Sequence, residues 1–216
     1  MQIERTAPEV ARRLRNRHQR PGLAHTTAIV LTADHGEEFN EHGRWEHGKS
    51  LHGQLLDVPL IIRFPDFAHG RRVEAPVQHI DVLPTLLDYV GLETPRFVQG
   101  NSLLALLTGT GEPGEVARQL YSFVDLGGIR ATSVTNAEWR LILPDSPRFG
   151  FASELYDRRV DREERRNLAS ERPIVAGHLE TLLAARVQED TASLEGGEAE
   201  LDEEMTNRLR AMGYLN

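Results

Sequence analysis

The sequence predicts an α/β fold followed by a smaller α+β subdomain built on an antiparallel sheet. Three observations predict it. Residues 27–33 are continuously apolar or β-branched, the pattern of a strand covered on both faces, and residues 58–64 read as a second buried strand. Segments of helical period flank them. After Gly114 the chain changes to short β-like runs with turn residues between them. The division falls near residue 110, giving an α/β portion at 1–110 and a subdomain at 111–216.

In chain order, Pro8 to Arg20 reads as a helix. Proline suits its first turn, and Pro21-Gly22 ends it. The first strand follows at 27–33, then a glycine-punctuated loop from Gly36 to Gly48. Val58 to Phe64 is the second strand, with Pro59 at its start, where a missing N–H is harmless. Val77 to Gly91 reads as a helix capped by Asp81, with Pro84 in its first turn and Gly91 just past its end. Leu83, Leu86, Leu87 and Val90 form its expected apolar face. A short helix is expected at Ser102–Leu107, and a flexible link at Gly109–Gly114.

In the second part, strands are expected at 119–124, 128–134 and 138–143, with Gly127-Gly128 and Thr135-Asn136 as turns. Ser153–Asp157 adds a fourth. A helix from Pro173 to Val187 places Val175, Leu179, Leu182, Leu183 and Val187 on its packing side, and Asp202–Met212 forms a last short helix.

Charge is unevenly spread over the 216 residues, whose net charge is −8. Residues 189–204 hold eight acidic groups and no basic one, as a solvated linker would. The first twenty residues hold six arginines and two glutamates; one solvated helix face accounts for them, and no nucleic-acid partner is expected. No apolar stretch reaches the roughly 18 residues a membrane span needs. The first residues carry no apolar leader, so a cytoplasmic location is expected for the chain as it stands, and a periplasmic or secreted one if sequence precedes it. Without cysteine, disulfides, thiolate metal sites and a cysteine nucleophile are excluded.

The chemistry concentrates at Asp34-His35-Gly36, where the first strand ends. A carboxylate and an imidazole there can share one divalent cation, and Gly36 permits the break that turns both the same way. An aspartate at a strand end also commonly caps a turn. Four of the nine histidines, His35, His42, His47 and His52, fall in this short region. Cationic donors grouped in a loop suit a tetrahedral oxyanion; exposed histidines with no such task are the plainer alternative.

The motifs in order carry a resemblance. Leu31-Thr32-Ala33-Asp34-His35-Gly36-Glu37-Glu38-Phe39, Glu41-His42-Gly43, His47-Gly48-Lys49-Ser50-Leu51 and Val58-Pro59-Leu60-Ile61-Ile62 resemble the sulfatases of the alkaline-phosphatase superfamily. So do His79-Ile80-Asp81-Val82-Leu83-Pro84-Thr85-Leu86-Leu87, then Gly100-Asn101-Ser102-Leu103. Glu154-Leu155-Tyr156-Asp157 with Asp161, Glu164, Asn167 and Leu168, and the ending Leu209–Leu215, continue the match. The resemblance implies an alkaline-phosphatase-like sheet with flanking helices, of which this chain holds the C-terminal part. It implies hydrolysis of a sulfate ester, on a small molecule or glycan, at a divalent metal, usually calcium. Asp34 and His35 match two metal ligands. His47 matches a residue that contacts the anion or protonates the leaving oxygen, and Lys49 is a second anion-binding candidate. His35, where many sulfatases have Asn, resembles the branch shared with phosphonate and phosphodiester hydrolases.

The departures are specific. The family's nucleophile, a formylglycine made in a C/S-x-P-x-R motif, and two earlier metal-binding aspartates have no counterpart; Ser146-Pro147-Arg148 lacks the spacing. His52-Gly53 stands where the family usually has Tyr-Glu, and Asp57 where it usually has Arg. An N-terminally truncated sulfatase-like hydrolase is therefore expected, with a non-catalytic remnant or interaction module as the alternative. Strands without their neighbours would leave an open sheet edge through which the chain could associate.

Overall fold

The computed structural model describes residues 26–67, 70–110, 118–126, 128–145 and 152–194. The helices expected at 8–20 and 202–212 and the Ser146-Pro147-Arg148 segment lie outside them, as does most of the acidic stretch.

The first strand, β1 (Ile29–Thr32), pairs antiparallel with β4 (Leu60–Arg63), Ile29 opposite Arg63 and Thr32 opposite Leu60. Both are shorter than the apolar runs and only partly covered, with Thr32 and Ile61 exposed. The expectation of strands buried on both faces is corrected here. Among the described residues these two strands pair only with each other.

The loop after β1 is more ordered than its glycines suggested. It contains a two-residue hairpin, β2 (Glu38–Phe39) against β3 (Trp45–Glu46). Asn40 and Gly43 make its turn at positive φ, a conformation these residues tolerate. A single helical turn, α1 (Gly53–Leu56), follows.

A 3-10 turn at His79–Asp81 leads into α2 (Val82–Tyr89), and α3 spans Leu104–Thr108. Asp81 does not cap α2 with its side chain, as expected from sequence. Its fully buried carboxylate instead accepts from the Gln78 and Asn101 amides at 2.8 and 2.9 Å and forms a bidentate pair with Arg118. Gly91 ends the helix at φ 74°. The buried side of α2 is Pro84 and Thr85, whereas Leu83 and Val90 are exposed. The reason is polar: Thr85 Oγ1 accepts from the Leu103 amide at 2.8 Å and so faces the chain that packs on the helix.

The second part is a meander of β5 (Leu120–Leu126), β6 (Ile129–Thr135), β7 (Trp139–Pro144) and β8 (Glu154–Asp157), in that order and all antiparallel. Period-two alternation sends Val134, Leu141 and Leu155 to one face, where Ala176, Leu179 and Leu183 of α4 (Pro173–Leu194) pack on them. Each fully buried leucine there contributes ~1.5–3 kcal/mol. Val187, expected on the packing side, is exposed. The opposite face presents Ala131, Ile142 and Tyr156 to Leu51, just before α1. The loop that holds the histidines is thus seated on the sheet.

Candidate active site

Gly36 seats the Asp34-His35 turn. Its amide donates to Leu55 O at 2.8 Å and the Glu37 amide donates to Gln54 O at 3.1 Å, so the turn is bonded to the backbone of α1. A Cβ on Gly36 would lie 1.9 Å from Gln54 O, which leaves no room for any other residue.

The two side chains before it lie together. His35 Nε2 is 3.8 Å from Asp34 Oδ2. His35 Nδ1 donates to Gly36 O at 2.7 Å, which fixes the proton of the neutral ring on Nδ1 and leaves Nε2 as its ligating nitrogen. The Asp34 carboxyl is held below its usual range, first by the His35 amide, which donates to it at 3.0 Å. An exposed carboxylate and an oriented imidazole 3.8 Å apart fit two positions on one cation. Among the described residues no third carboxylate or imidazole completes this pair, and a hard cation wants about six to eight oxygens. By itself the pair would supply only two of those ligands.

His47 joins it. Its ring stacks on His35 with centroids 4.1 Å apart, and its Nδ1 lies 3.4 Å from the Glu37 carboxylate. Lys49 is turned elsewhere: Nζ pairs with Glu46 at 2.9 Å. It also borders a small pocket with Arg44, Ser50 and Leu51.

Residues outside the predicted catalytic, anion-binding and metal positions hold this group in place. His52 is buried between two carboxylates, with Nε2 2.8 Å from Glu154 Oε2 and Nδ1 3.5 Å from Glu38 Oε1. Burial alone would lower its pKa, but Glu154 and Glu38 outweigh that and raise it to about 9. Tyr156 donates to the same Glu154 oxygen at 2.7 Å. Burial, joined by this carboxylate, raises the Tyr156 phenol well above its ordinary value. His42 stacks parallel on His52 at 3.7 Å; burial lowers its pKa, and the charge on His52 adds to that.

One step along, the buried Arg140 donates to Glu164 Oε1 at 2.7 Å, Asp57 Oδ1 at 2.6 Å and Thr135 Oγ1 at 3.0 Å. Glu164 Oε2 accepts the Gly53 amide at 2.8 Å, at the start of α1. The sheet therefore grips α1 through two carboxylates, and α1 grips the Asp34-His35 turn. The signal in the sequence was the trio His52, Gly53 and Asp57, where the chain departs from the family pattern. All three touch this network.

Comparison with known proteins agrees with the resemblance. The family described as N-sulphoglucosamine sulphohydrolase, C-terminal, matches residues 40–190. The uncharacterized sulfatase YidJ of Escherichia coli is 32% identical over 149 residues, covering 68% of this chain and 29% of that protein. Arylsulfatase K of Danio rerio is 28% identical over 176 residues, 80% of this chain and 33% of its own length. The chain thus spans about a third of the curated relatives it matches. A solved protein in complex with its substrate D-glucosamine-2-N,6-O-disulfate superposes with a TM-score of 0.65 at 27% identity, covering 82% of this chain and 37% of its own. The phosphonate monoester hydrolase of Silicibacter pomeroyi gives 0.65 at 28%, covering 83% and 38%. The fold is that of the alkaline-phosphatase-like sulfatases, and the chain belongs to the sulfatase family, as its C-terminal portion.

Proposed function

We propose that this chain carries the metal-and-anion side of a hydrolase that cleaves sulfate esters, with a sulfated sugar or aryl sulfate as substrate. One observation carries the reading: the Asp34 carboxylate and His35 Nε2 lie 3.8 Å apart just after a strand end, with the His47 ring stacked on His35. Asp34 and His35 would hold the divalent ion. Calcium suits the carboxylate and the further oxygens the family brings. When bound, the ion polarises the sulfuryl oxygens.

The rest is the work of this chain's residues. Glu37 engages His47 at Nδ1, which leaves Nε2 to meet the substrate. As the bond from sulfur to the ester oxygen breaks, His47 Nε2 gives its proton to that oxygen and the alcohol leaves. Lys49, once turned from Glu46, is a second cation for the sulfate oxygens. The group that takes up the sulfuryl moiety is not among the motifs of this sequence, so it comes from outside these residues. Phosphonate ester cleavage is the second reading, favoured by His35 and by the likeness to phosphonate monoester hydrolases.

The test is turnover of 4-nitrophenyl sulfate and 4-nitrophenyl phenylphosphonate in calcium by the full natural polypeptide that carries this sequence. Sulfate turnover that falls ~10²–10⁴-fold in His47→Ala supports the proposal. Phosphonate turnover alone selects the second reading, and no turnover of either ester refutes both.

A further inference from the structure

Close to the Asp34-His35 turn lies a second group of ligating side chains that the proposed reaction does not use. Glu38, His42 and His52 each offer one ligand atom, and these atoms lie within 4.8 Å of one another. Glu38 is fully buried and His52 is 3% exposed. Both Glu38 carboxylate oxygens and His52 Nδ1 are buried without a hydrogen-bond partner. Native proteins leave few buried polar atoms in that condition, and each calls for a physical reason.

The surroundings orient the ligand. His52 Nε2 donates to Glu154 Oε2 at 2.8 Å, so the other ring nitrogen, Nδ1, is the one turned to Glu38. Tyr156 holds the same Glu154 oxygen from the other side. A carboxylate behind an imidazole is the arrangement that fixes ring orientation and raises ligand basicity at metal centres.

We propose that Glu38, His42 and His52 form a binding site for a borderline divalent transition ion such as Zn²⁺ or Co²⁺, separate from the Asp34-His35 pair. Two imidazoles and one carboxylate suit zinc, cobalt or nickel, whereas calcium and magnesium want oxygens. Three protein ligands leave the fourth tetrahedral position to water. Bonds of ~2.0–2.1 Å bring neighbouring ligand atoms to ~3.3 Å, so the group must draw in from its present spread. His42 has that freedom. It is half-buried and is held by the 3.7 Å stack on His52 and a 3.2 Å hydrogen bond to Gln54, and its ring must leave the parallel stack to aim at a shared ion. His52, one of its two imidazoles, stands where the family usually has tyrosine.

The experiment takes the full natural polypeptide that carries this sequence, stripped with chelator, and titrates it with Zn²⁺ by calorimetry and with Co²⁺ by visible absorption, in excess Ca²⁺. Uptake of one equivalent is expected. Affinity should fall at least tenfold in His42→Ala and in His52→Tyr, and ~10–100-fold in Glu154→Gln, which removes no ligand. Asp34→Ala should bind the ion within twofold of wild type, which separates this site from the proposed catalytic one. Circular dichroism checks that each variant folds; His42→Ala, the least buried of the three ligands, decides the matter if His52→Tyr does not. Absence of uptake by the wild type, or uptake lost in Asp34→Ala and kept in His42→Ala, overturns the proposal. His52 is then only an imidazolium held between two carboxylates.

Discussion

His52 Nε2 lies 2.8 Å from Glu154 Oε2, a contact between residues 102 apart in sequence. It fastens the histidine-rich loop to the edge strand of the four-stranded sheet. Arg140 and Glu164 fasten the same loop one turn further on, at Asp57 and Gly53. The proposed metal ligands thus owe their position to the C-terminal sheet, through α1 and the backbone of Gly36.

Gly36→Ala tests the last of these links. Its methyl would meet a backbone carbonyl rather than a side-chain end that can swing aside, so the turn itself must move. A loss of ~1–3 kcal/mol or more is expected in urea unfolding. The His35 ring resonances should shift in NMR spectra even where the variant folds. A Gly36→Ala variant as stable as the wild type, with an unmoved His35, contradicts the close approach.

Arg140→Met removes the cation from a buried cluster and leaves Glu164 unpaired in the sheet face. Breaking such a pair costs ~3–5 kcal/mol. The double variant Arg140→Met with Glu164→Gln should recover part of that loss. If Arg140→Met alone is neutral by denaturant unfolding, the cluster does not hold the loop.

Asp57 gives the pH dependence. Burial pushes its carboxyl up, but Arg140 and Arg158 outweigh that and hold it below the ordinary 3.8. A group whose folded pKa is depressed stabilises the fold above its unfolded value and loses that contribution as pH falls through the folded one. The stability gap between wild type and Asp57→Asn should therefore be flat above about pH 5 and close as the pH falls below about 4. A gap that widens on acidification contradicts the pairing.

The β1–β4 pair predicts behaviour in solution. Ile61 is 38% exposed on a two-stranded sheet, and such edges recruit other chains. The 216-residue chain alone is expected to associate in light scattering, or to unfold without cooperativity. Ile61→Lys should shift it toward monomer. A monomeric wild type with one sharp thermal transition contradicts this.

Much of this was readable in the sequence, for a physical reason. The four-stranded meander was legible because its short β-like runs are separated by turn residues, Thr135-Asn136 among them. The Asp34-His35-Gly36 turn was legible because a strand end, two ligating side chains and a glycine are contiguous. The clamp was not. Arg140 looks like any strand arginine until Asp57, 83 residues away, is beside it. The β2–β3 hairpin was missed because two-residue strands carry no periodic signal, and its turn rests on Asn40 at φ 77°. The apolar face assigned to α2 was misplaced because Thr85 is buried by its hydrogen bond and not by its hydrophobicity.

The most direct test of the site is the calcium dependence of aryl sulfate turnover in the full natural polypeptide. If Asp34 and His35 are metal ligands, Asp34→Ala should raise the calcium needed for half-maximal rate by ~100-fold or more, beyond the ~10–100-fold that losing an outer-sphere partner costs. A variant with the wild-type calcium requirement would contradict the assignment.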